Sequence, residues 1–475
     1  MSTTPSDTTT PTQPAPRDLT PWLLAGILLL SVLLRIAVAL YLGDTTPPAK
    51  DETSYSTLAM RVASGHGFSF PVAWYPFAPA NAPTAHWSFL YTLYAAAIYA
   101  LVGWHPLAVR LVTALLAGIL LPLVVFFLTR RALPPRDSLS FTVHRSPSLG
   151  TGEPGSPFAI KHWLPLLAAI LSAIYAYFIL YGAMVQTEAL FIVALVWSLE
   201  RALAVEQSLR RGETPRWTEW LGLGVSLGLA SLFRQSILPW VVVLFLWLLW
   251  RALQAARATA AESGFPAFLR FPPFPSGFVR LFLAGLIMLA FIAPFTLRNY
   301  RVYDGDFLLL NSNAGYAMYS AQHPLHGTSF QEYAAAPLPT DLNPVPQNEA
   351  QWDQALMARG MQFIRDEPGR YLLLSLSRVA DYFEFWPTSD SGLVFNLGRL
   401  LSFTLLLPFM LYGLWVSRRD WRRYSLLYLF IGFYSLLHIM TWAMTRYRLP
   451  VDAVLLLFAA LGMAELATKL AARRP

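Results

Sequence analysis

The chain has 475 residues, of which 55% are hydrophobic and only 13% are charged. Soluble domains carry roughly 25% charged residues, and several uncharged stretches here reach the roughly 20 residues that cross a bilayer. The composition excludes a soluble enzyme and a nucleic-acid-binding domain, and the absence of cysteine excludes disulfides and Cys-ligated metal sites.

Apolar segments follow one another along the chain after a polar start. Residues 1–19 are rich in Ser, Thr and Pro and are predicted to be a disordered cytoplasmic tail. Pro21 to Leu42 is predicted to be the first membrane span. Further apolar segments cover about 107–129, 163–181, 188–200, 219–250 (a hairpin around Arg234), 281–297, 395–416, 424–441 and 449–468.

The basic residues predict the orientation of these segments. Of the 35 Lys and Arg residues, 20 lie in five short segments that we assign to the cytoplasm: 130–161, 201–216, 251–280, 418–423 and the last seven residues. The outward segments are then 43–106, 182–188, 298–394 and 442–448. Residues 87–103 are also apolar, but a crossing there would change the side of every later loop, so we place them in the outer interface or as a re-entrant piece.

Together these segments predict an all-α polytopic protein with four parts. The tail 1–19 is followed by an N-terminal membrane module at 20–297. A large outer region at 298–394 is too long to be a mere connector. The C-terminal membrane helices occupy 395–475.

Two acidic sites lie at the predicted outer ends of separate spans. Asp51 and Glu52 follow a Pro-containing turn and precede a helical pattern, in which Asp51 is either a helix cap or a functional carboxylate. Glu188 is the only carboxylate between Trp163 and Leu199, and acids at membrane depth are costly and usually functional. The structural alternative for Glu188 is a place in the first turn of a helix. Two isolated acidic sites on the same predicted outer face, however, suit binding of one substrate by both.

Arginines at the outer face form the second feature, because they break the inside bias of positive charge. Arg298 lies at the predicted outer end of one helix, and Arg446 and Arg448 fill another outer turn. A guanidinium binds phosphate well, although interfacial anchoring is the alternative. Several outer histidines show no metal-ligand spacing, and Gly222, Gly224 and Gly228 predict close helix packing rather than a phosphate cradle.

The chain resembles the GT-C membrane glycosyltransferases of the ArnT and protein-mannosyltransferase-like group, RgtA/B/C/D-like branch, from about residue 20 to 470. Four stretches carry the resemblance: Asp51 to Tyr55 with Gly65 to Phe68, Gln186 to Glu188, Pro294 to Tyr300, and Arg446 to Pro450. It implies a GT-C-type bundle of roughly 9 to 12 membrane-spanning helices with a partly helical outer loop region. The chain departs from the pattern at His86-Trp87-Ser88, where relatives often have a basic residue and prolines.

The resemblance also implies a reaction and its residues. The enzyme would be an inverting hexosyl- or pentosyltransferase in the plasma membrane, with a cytoplasmic N-terminus and an external active site. Its partners would be a polyprenyl-phosphate sugar donor and a glycan, lipid or protein acceptor. Asp51 is the candidate base, with Glu52 and Glu188 as further catalytic candidates and Tyr55 as a substrate contact. The candidates for the donor phosphate are Arg298, Arg446, Arg448 and His86.

Three questions stay open from the sequence. A lipid phosphate leaving group reduces the need for metal, so a divalent cation held partly by Glu188 is optional. A secondary transporter is the main rival, favoured by Arg35 and Arg234 but not by the long outer region. A non-catalytic membrane assembly subunit is the second rival.

Overall fold

The computed structural model describes residues 19–47, 51–133, 163–262, 276–331, 334, 336–389 and 392–472. The predicted disordered tail lies, apart from Leu19, outside these residues, as does most of the basic loop 130–161. The described chain is built of helices and loops, without a β-strand in these ranges.

In chain order the helices are α1 (Thr20–Leu42), α2 (Asp51–Ala63), α3 (Phe89–Val102), α4 (Pro106–Ala132), α5 (Trp163–Ile174), α6 (Ala176–Tyr181), α7 (Glu188–Arg210), α8 (Trp217–Phe233), α9 (Leu238–Glu262), α10 (Ser276–Val302), α11 (Asn313–Gln322), α12 (Glu349–Asp366), α13 (Pro368–Tyr382), α14 (Leu393–Arg399), α15 (Leu405–Ser417), α16 (Ser425–Met440) and α17 (Thr445–Ala471).

Six described helical stretches are long and apolar enough to cross a membrane: Thr20–Leu42, Pro106–Ala132, Gln235–Ala258, Gly277–Val302, Leu393–Asp420 and Thr445–Ala471. Shorter apolar helices such as α5 and α16 pack among them. The protein is therefore an all-α, multi-pass membrane protein, as its composition predicts. Helix α3 has 14 residues and spans about 21 Å, less than the roughly 30 Å of a hydrocarbon core, so the prediction that it does not cross stays open.

Helix α17 lies at the centre of the bundle. In its most apolar stretch 78% of the residues are buried inside the protein, against 22% in α1. It packs on α15, α5, α7 and α16. Gly413 of α15 and Gly462 of α17 each lie directly against the backbone of the other helix, so the two helices cross without intervening side chains.

The glycines of α8 also serve helix packing, which confirms that prediction. A Cβ added to Gly224 would lie 2.7 Å from the Ala284 carbonyl oxygen of α10, and one added to Gly228 would lie 2.7 Å from the Phe291 ring. Gly222 faces the Arg201 side chain of α7. These glycines therefore allow α8 to approach its neighbours.

The described part of 298–394, the predicted outer region, is partly helical, with α11 packed on α12 and α13 packed on α16 and α17. The buried Glu349 at the start of α12 joins this region to the segment before α3. Its carboxylate accepts from the Ala85 backbone N–H at 2.7 Å and from the Tyr303 hydroxyl at 3.1 Å. The outer region is thereby tied directly to residues 85–87.

One boundary differs from the sequence prediction. The outer turn predicted at 442–448 is shorter, because α17 begins at Thr445. Arg446 and Arg448 consequently lie in the first turn of a helix. Two residues apart on a helix, their side chains point to opposite sides.

Candidate active site

Asp51 is the first residue of α2, and its carboxylate forms an ion pair with Arg446 from the first turn of α17. The contact joins residues 395 positions apart in the chain. Burial raises the pKa of Asp51, but the charge of Arg446 and its hydrogen bond, together with Arg234 and His86, outweigh that effect and hold the pKa below its usual value. Asp51 is therefore ionised at neutral pH.

Glu188, the first residue of α7, completes a group of alternating charges. Its Oε1 lies 3.4 Å from an Arg234 nitrogen and 3.7 Å from an Arg446 nitrogen. Its side chain is only 3% exposed. We call Asp51, Glu188, Arg234 and Arg446 the charge cluster.

Polar atoms in and beside the charge cluster are buried without a hydrogen-bond partner. Among the described residues this holds for Glu188 Oε1, Arg446 Nε and His86 Nδ1. Buried polar groups normally have partners, so each unsatisfied one needs an explanation. The charge cluster thus has buried polar atoms that are available to a further hydrogen-bond partner.

An aromatic wall lines the guanidinium groups. The ring of Tyr447 lies 4.9 Å from Arg234 and 5.3 Å from Arg446, measured from the ring centroid to each guanidinium carbon. His438 of α16 packs on the same ring at 4.9 Å. These contacts hold both guanidinium groups against the ring, and Arg446 still donates to Asp51.

His86 and Tyr55 lie next to the charge cluster. Burial lowers the pKa of His86 to about 4, although the nearby Asp51 carboxylate acts in the opposite direction, so its imidazole is neutral at pH 7. Tyr55 lies one helical turn after Asp51, with its ring against Trp87 and Tyr91. Burial, and then the Asp51 charge, raise the pKa of its hydroxyl, which stays protonated.

Glu52, the neighbour of Asp51, points into a different environment. It accepts from the buried Arg110 of α4 at 2.6 Å and from the Val185 backbone N–H at 2.9 Å. It therefore links α2, α4 and the turn before α7. The structure does not bring Glu52 into the charge cluster.

Arg448 and Arg298 also lie outside the charge cluster. Arg448 is fully buried, 3.0 Å from Asp452 and within hydrogen-bond distance of the Tyr382 carbonyl oxygen at 2.8 Å. Arg298 donates to Asn299 at 3.0 Å and lies over the rings of Phe68 and Phe89. Of the four phosphate candidates, only Arg446 and His86 face Asp51.

Sequence reasoning left Arg234 and Tyr447 out of the site. Arg234 is the only charge between Glu219 and Arg251, and a charge in such an apolar stretch is by default a functional residue. This isolated charge was therefore a signal in the sequence that could have identified Arg234 as a site residue. Tyr447 carries no comparable signal, because tyrosine is common at membrane interfaces.

A metal site would need several His, Asp or Glu side chains close together. The described parts of the chain contain no group of three or more such side chains that could hold an ion. Asp51 and Glu188 contact guanidinium groups. A dependence on divalent cations stays a prediction.

No protein-family model and no curated protein sequence matches the chain. Its structure is similar to the crystal structure of ArnT from Cupriavidus metallidurans bound to undecaprenyl phosphate, with a TM-score of 0.37 and 11% sequence identity over 96% of this chain and 82% of that chain. A TM-score this low decides neither the fold family nor the chemistry. Both therefore depend on the geometry of the chain itself.

Proposed function

We propose that the protein is a membrane glycosyltransferase that moves a sugar from a polyprenyl-phosphate donor to an acceptor hydroxyl. The observation that carries the proposal is the convergence of Asp51, Glu188, Arg234 and Arg446 from four separate parts of the chain. The motif resemblance to GT-C enzymes, including its RgtA/B/C/D-like branch, supports the same reaction. The acceptor is a hydroxyl of a glycan, lipid or protein.

The charge cluster lies at one face of the bundle, opposite the arginine-rich loops. Glu188 begins α7 and Arg210 ends it, and 23 residues of helix span about 34 Å. That distance is close to the roughly 30 Å thickness of a hydrocarbon core. The charge rule makes the arginine-rich side cytoplasmic, so the active site faces outward in a plasma-membrane protein.

In this proposal Asp51 is the general base. The acceptor oxygen attacks the anomeric carbon as its proton passes to the Asp51 carboxylate, and the bond from that carbon to the phosphate oxygen breaks with both electrons leaving on the phosphate. One displacement inverts the anomeric centre. Glu188 orients the acceptor, and His86 and Tyr55 are neutral contacts at the edge of the site.

Arg446 and Arg234 stabilise the departing phosphate. Negative charge develops on the leaving group, and guanidinium groups in a water-poor site stabilise such charge strongly. The unpaired Nε of Arg446 supplies a further donor for a phosphate oxygen. Two arginines on one tyrosine ring form a preorganised anion site.

Donor binding also tunes the base. Arg446 holds the pKa of Asp51 low, whereas burial alone would raise it. A phosphate that takes over part of the Arg446 charge leaves Asp51 with a higher pKa. A base becomes more effective as its pKa approaches the working pH, so Asp51 gains basicity when the donor is in place.

A transporter would need charges near the middle of the membrane that are available to its substrate. Arg35 and Arg234, the two residues that favoured a transporter, are both engaged in other contacts. Arg35 of α1 is fully buried, and it donates to the Ser31 hydroxyl at 2.5 Å and to the Ala173 carbonyl oxygen at 3.2 Å. Helix packing therefore accounts for it. Arg234 belongs to the charge cluster at the helix ends.

Release of polyprenyl phosphate from a polyprenyl-phosphate sugar, measured with the purified full-length protein, tests the proposal. We expect Asp51→Asn to lower the rate by about 10²- to 10⁴-fold, as loss of a general base does. The matched control is Asp304→Asn, an exposed carboxylate of the outer region, which should leave the rate unchanged. Equal rates for Asp51→Asn and the wild type would overturn the role of Asp51.

A further inference from the structure

A second polar site lies at the other end of α7. The ends of α4 and α7 and the turn before α16 line a half-open cavity of about 610 Å³. This volume falls within the roughly 300–1,000 Å³ of small-ligand sites. Six arginines line it: Arg130, Arg131, Arg201, Arg210, Arg211 and Arg423.

The cavity carries a positive charge that its own acids do not balance. Glu200 and Glu206 are the two carboxylates of the lining, so its net charge is +4. Both glutamates are buried and already bound to arginine: Glu200 pairs with Arg131 at 2.5 Å, and Glu206 pairs with Arg210 at 2.9 Å. Arg251, outside the lining, also pairs with Glu206 and adds to the positive charge of this region.

The inside bias of positive charge explains why arginines lie on this face, but not why they surround a concavity. Loops that only orient a membrane protein need no particular arrangement of their basic side chains. Here α4 supplies Arg130, α7 supplies Arg201 and the turn before α16 supplies Arg423. Residues far apart in the sequence thus converge on one half-open concavity.

One wall of the cavity is apolar, and its Phe127 is exposed at the surface of a membrane-long helix. Phe127, Ala132 and Leu203 belong to the lining. Phe127 lies one turn before Arg130 on a membrane-spanning helix, and 43% of its surface is exposed. A soluble phosphate would gain nothing from this wall, whereas the acyl chain beneath a lipid phosphate would contact it.

We propose that this cavity binds the phosphate headgroup of an anionic lipid from the cytoplasmic leaflet. Guanidinium forks match phosphate oxygens, and basic pockets between membrane helices on the cytoplasmic side bind such headgroups. The site lies across the membrane from the charge cluster and does not depend on the proposed reaction.

The test is binding of phosphatidylglycerol, measured by native mass spectrometry on the full-length protein, with phosphatidylcholine as the neutral lipid. The variant is Arg130→Gln with Arg211→Gln, two exposed arginines of the lining that do not hold the buried glutamates. The control is Arg418→Gln with Arg422→Gln, which removes the same charge from exposed residues of the same face outside the cavity.

We expect the lining variant to lose about tenfold in phosphatidylglycerol affinity and the control to change less than twofold. Equal loss in both variants would overturn the proposal, because the whole basic face would then act at a distance. Competition by inorganic phosphate at the affinity of the lipid would also overturn it, since the ligand would then be a soluble phosphate. A thermal unfolding midpoint equal to that of the wild type shows that the lining variant is folded.

Discussion

At the scale of single residues, adjacent carboxylates in α2 lie in different surroundings. Asp51 faces a partly exposed cluster with unsatisfied polar atoms, whereas Glu52 is buried in a satisfied contact with Arg110. Helix geometry causes the divergence, because consecutive residues point about 100° apart. One residue is available for chemistry and the other holds three elements together.

This difference predicts opposite responses to removing each charge. Glu52→Gln should lower the free energy of unfolding by about 3 kcal/mol, because it leaves the buried Arg110 without its counter-charge. Asp51→Asn should cost about 1 kcal/mol or less, since Arg446 keeps Glu188 nearby. Unfolding in detergent, followed by circular dichroism, measures both. A larger stability loss in Asp51→Asn would contradict this assignment of roles.

The two arginines of α17 make a parallel prediction. Arg446→Lys should raise the Michaelis constant for the lipid donor about tenfold or more, because a lysine lacks the bidentate fork. Arg448→Lys should leave that constant nearly unchanged but destabilise the protein, since it loses contacts with Tyr382 and Asp452. Donor titrations and thermal unfolding of both variants check this. If only Arg448→Lys changed donor affinity, Arg448 rather than Arg446 would be the residue that binds the donor.

The sequence predicted Asp51, Glu188, Arg446 and His86 as site candidates, and the structure brings these four together. The sequence alone could not show that Glu52 and Arg448 lie outside the charge cluster, because side-chain direction depends on where each helix begins. Side chains two residues apart point in different directions in an extended turn as well as in a helix, so only one of Arg446 and Arg448 can face the site. Only the start of α17 at Thr445 shows which one faces Asp51.

At the scale of helices, the apolar segments located the start of each long apolar helix within about five residues, but α7 and α9 end later than predicted, at Arg210 and Glu262. The start of α7 at Glu188 and the break between α8 and α9 at Arg234 both follow from single charges in apolar surroundings. Less was predictable where the pattern is weak. Helix α13 is amphipathic and lies in the outer region, where hydropathy alone does not separate helix from loop.

The close approach of α8 to α10 predicts a steric effect. Gly224→Ala should destabilise the protein by about 1–3 kcal/mol, because the new methyl group would lie 2.7 Å from the Ala284 carbonyl oxygen. Gly432→Ala in α16 is the matched control, since nothing lies within 4 Å of its added methyl group. Thermal unfolding midpoints of the two variants compare them. Equal midpoints would mean that α8 and α10 separate easily.

At the scale of the whole molecule, topology is the main prediction. The chain has no cysteine, so single cysteines can report each face. Ser329→Cys in the outer region should react with an impermeant maleimide in intact cells, whereas Thr214→Cys between α7 and α8 should react only after permeabilisation. Ser140→Cys, outside the described residues, should behave like Thr214→Cys. Equal labelling of Ser329→Cys and Thr214→Cys in intact cells would refute the charge-based orientation.

The pairing of Asp51 with Arg446 has a consequence for biosynthesis. Of the helices described, α17 leaves the ribosome last, long after α2. Until α17 inserts, Asp51 lacks its partner and Glu188 has only Arg234. The charge cluster therefore forms only after α17 has entered the membrane, and a nascent chain that stalls before α17 lacks it.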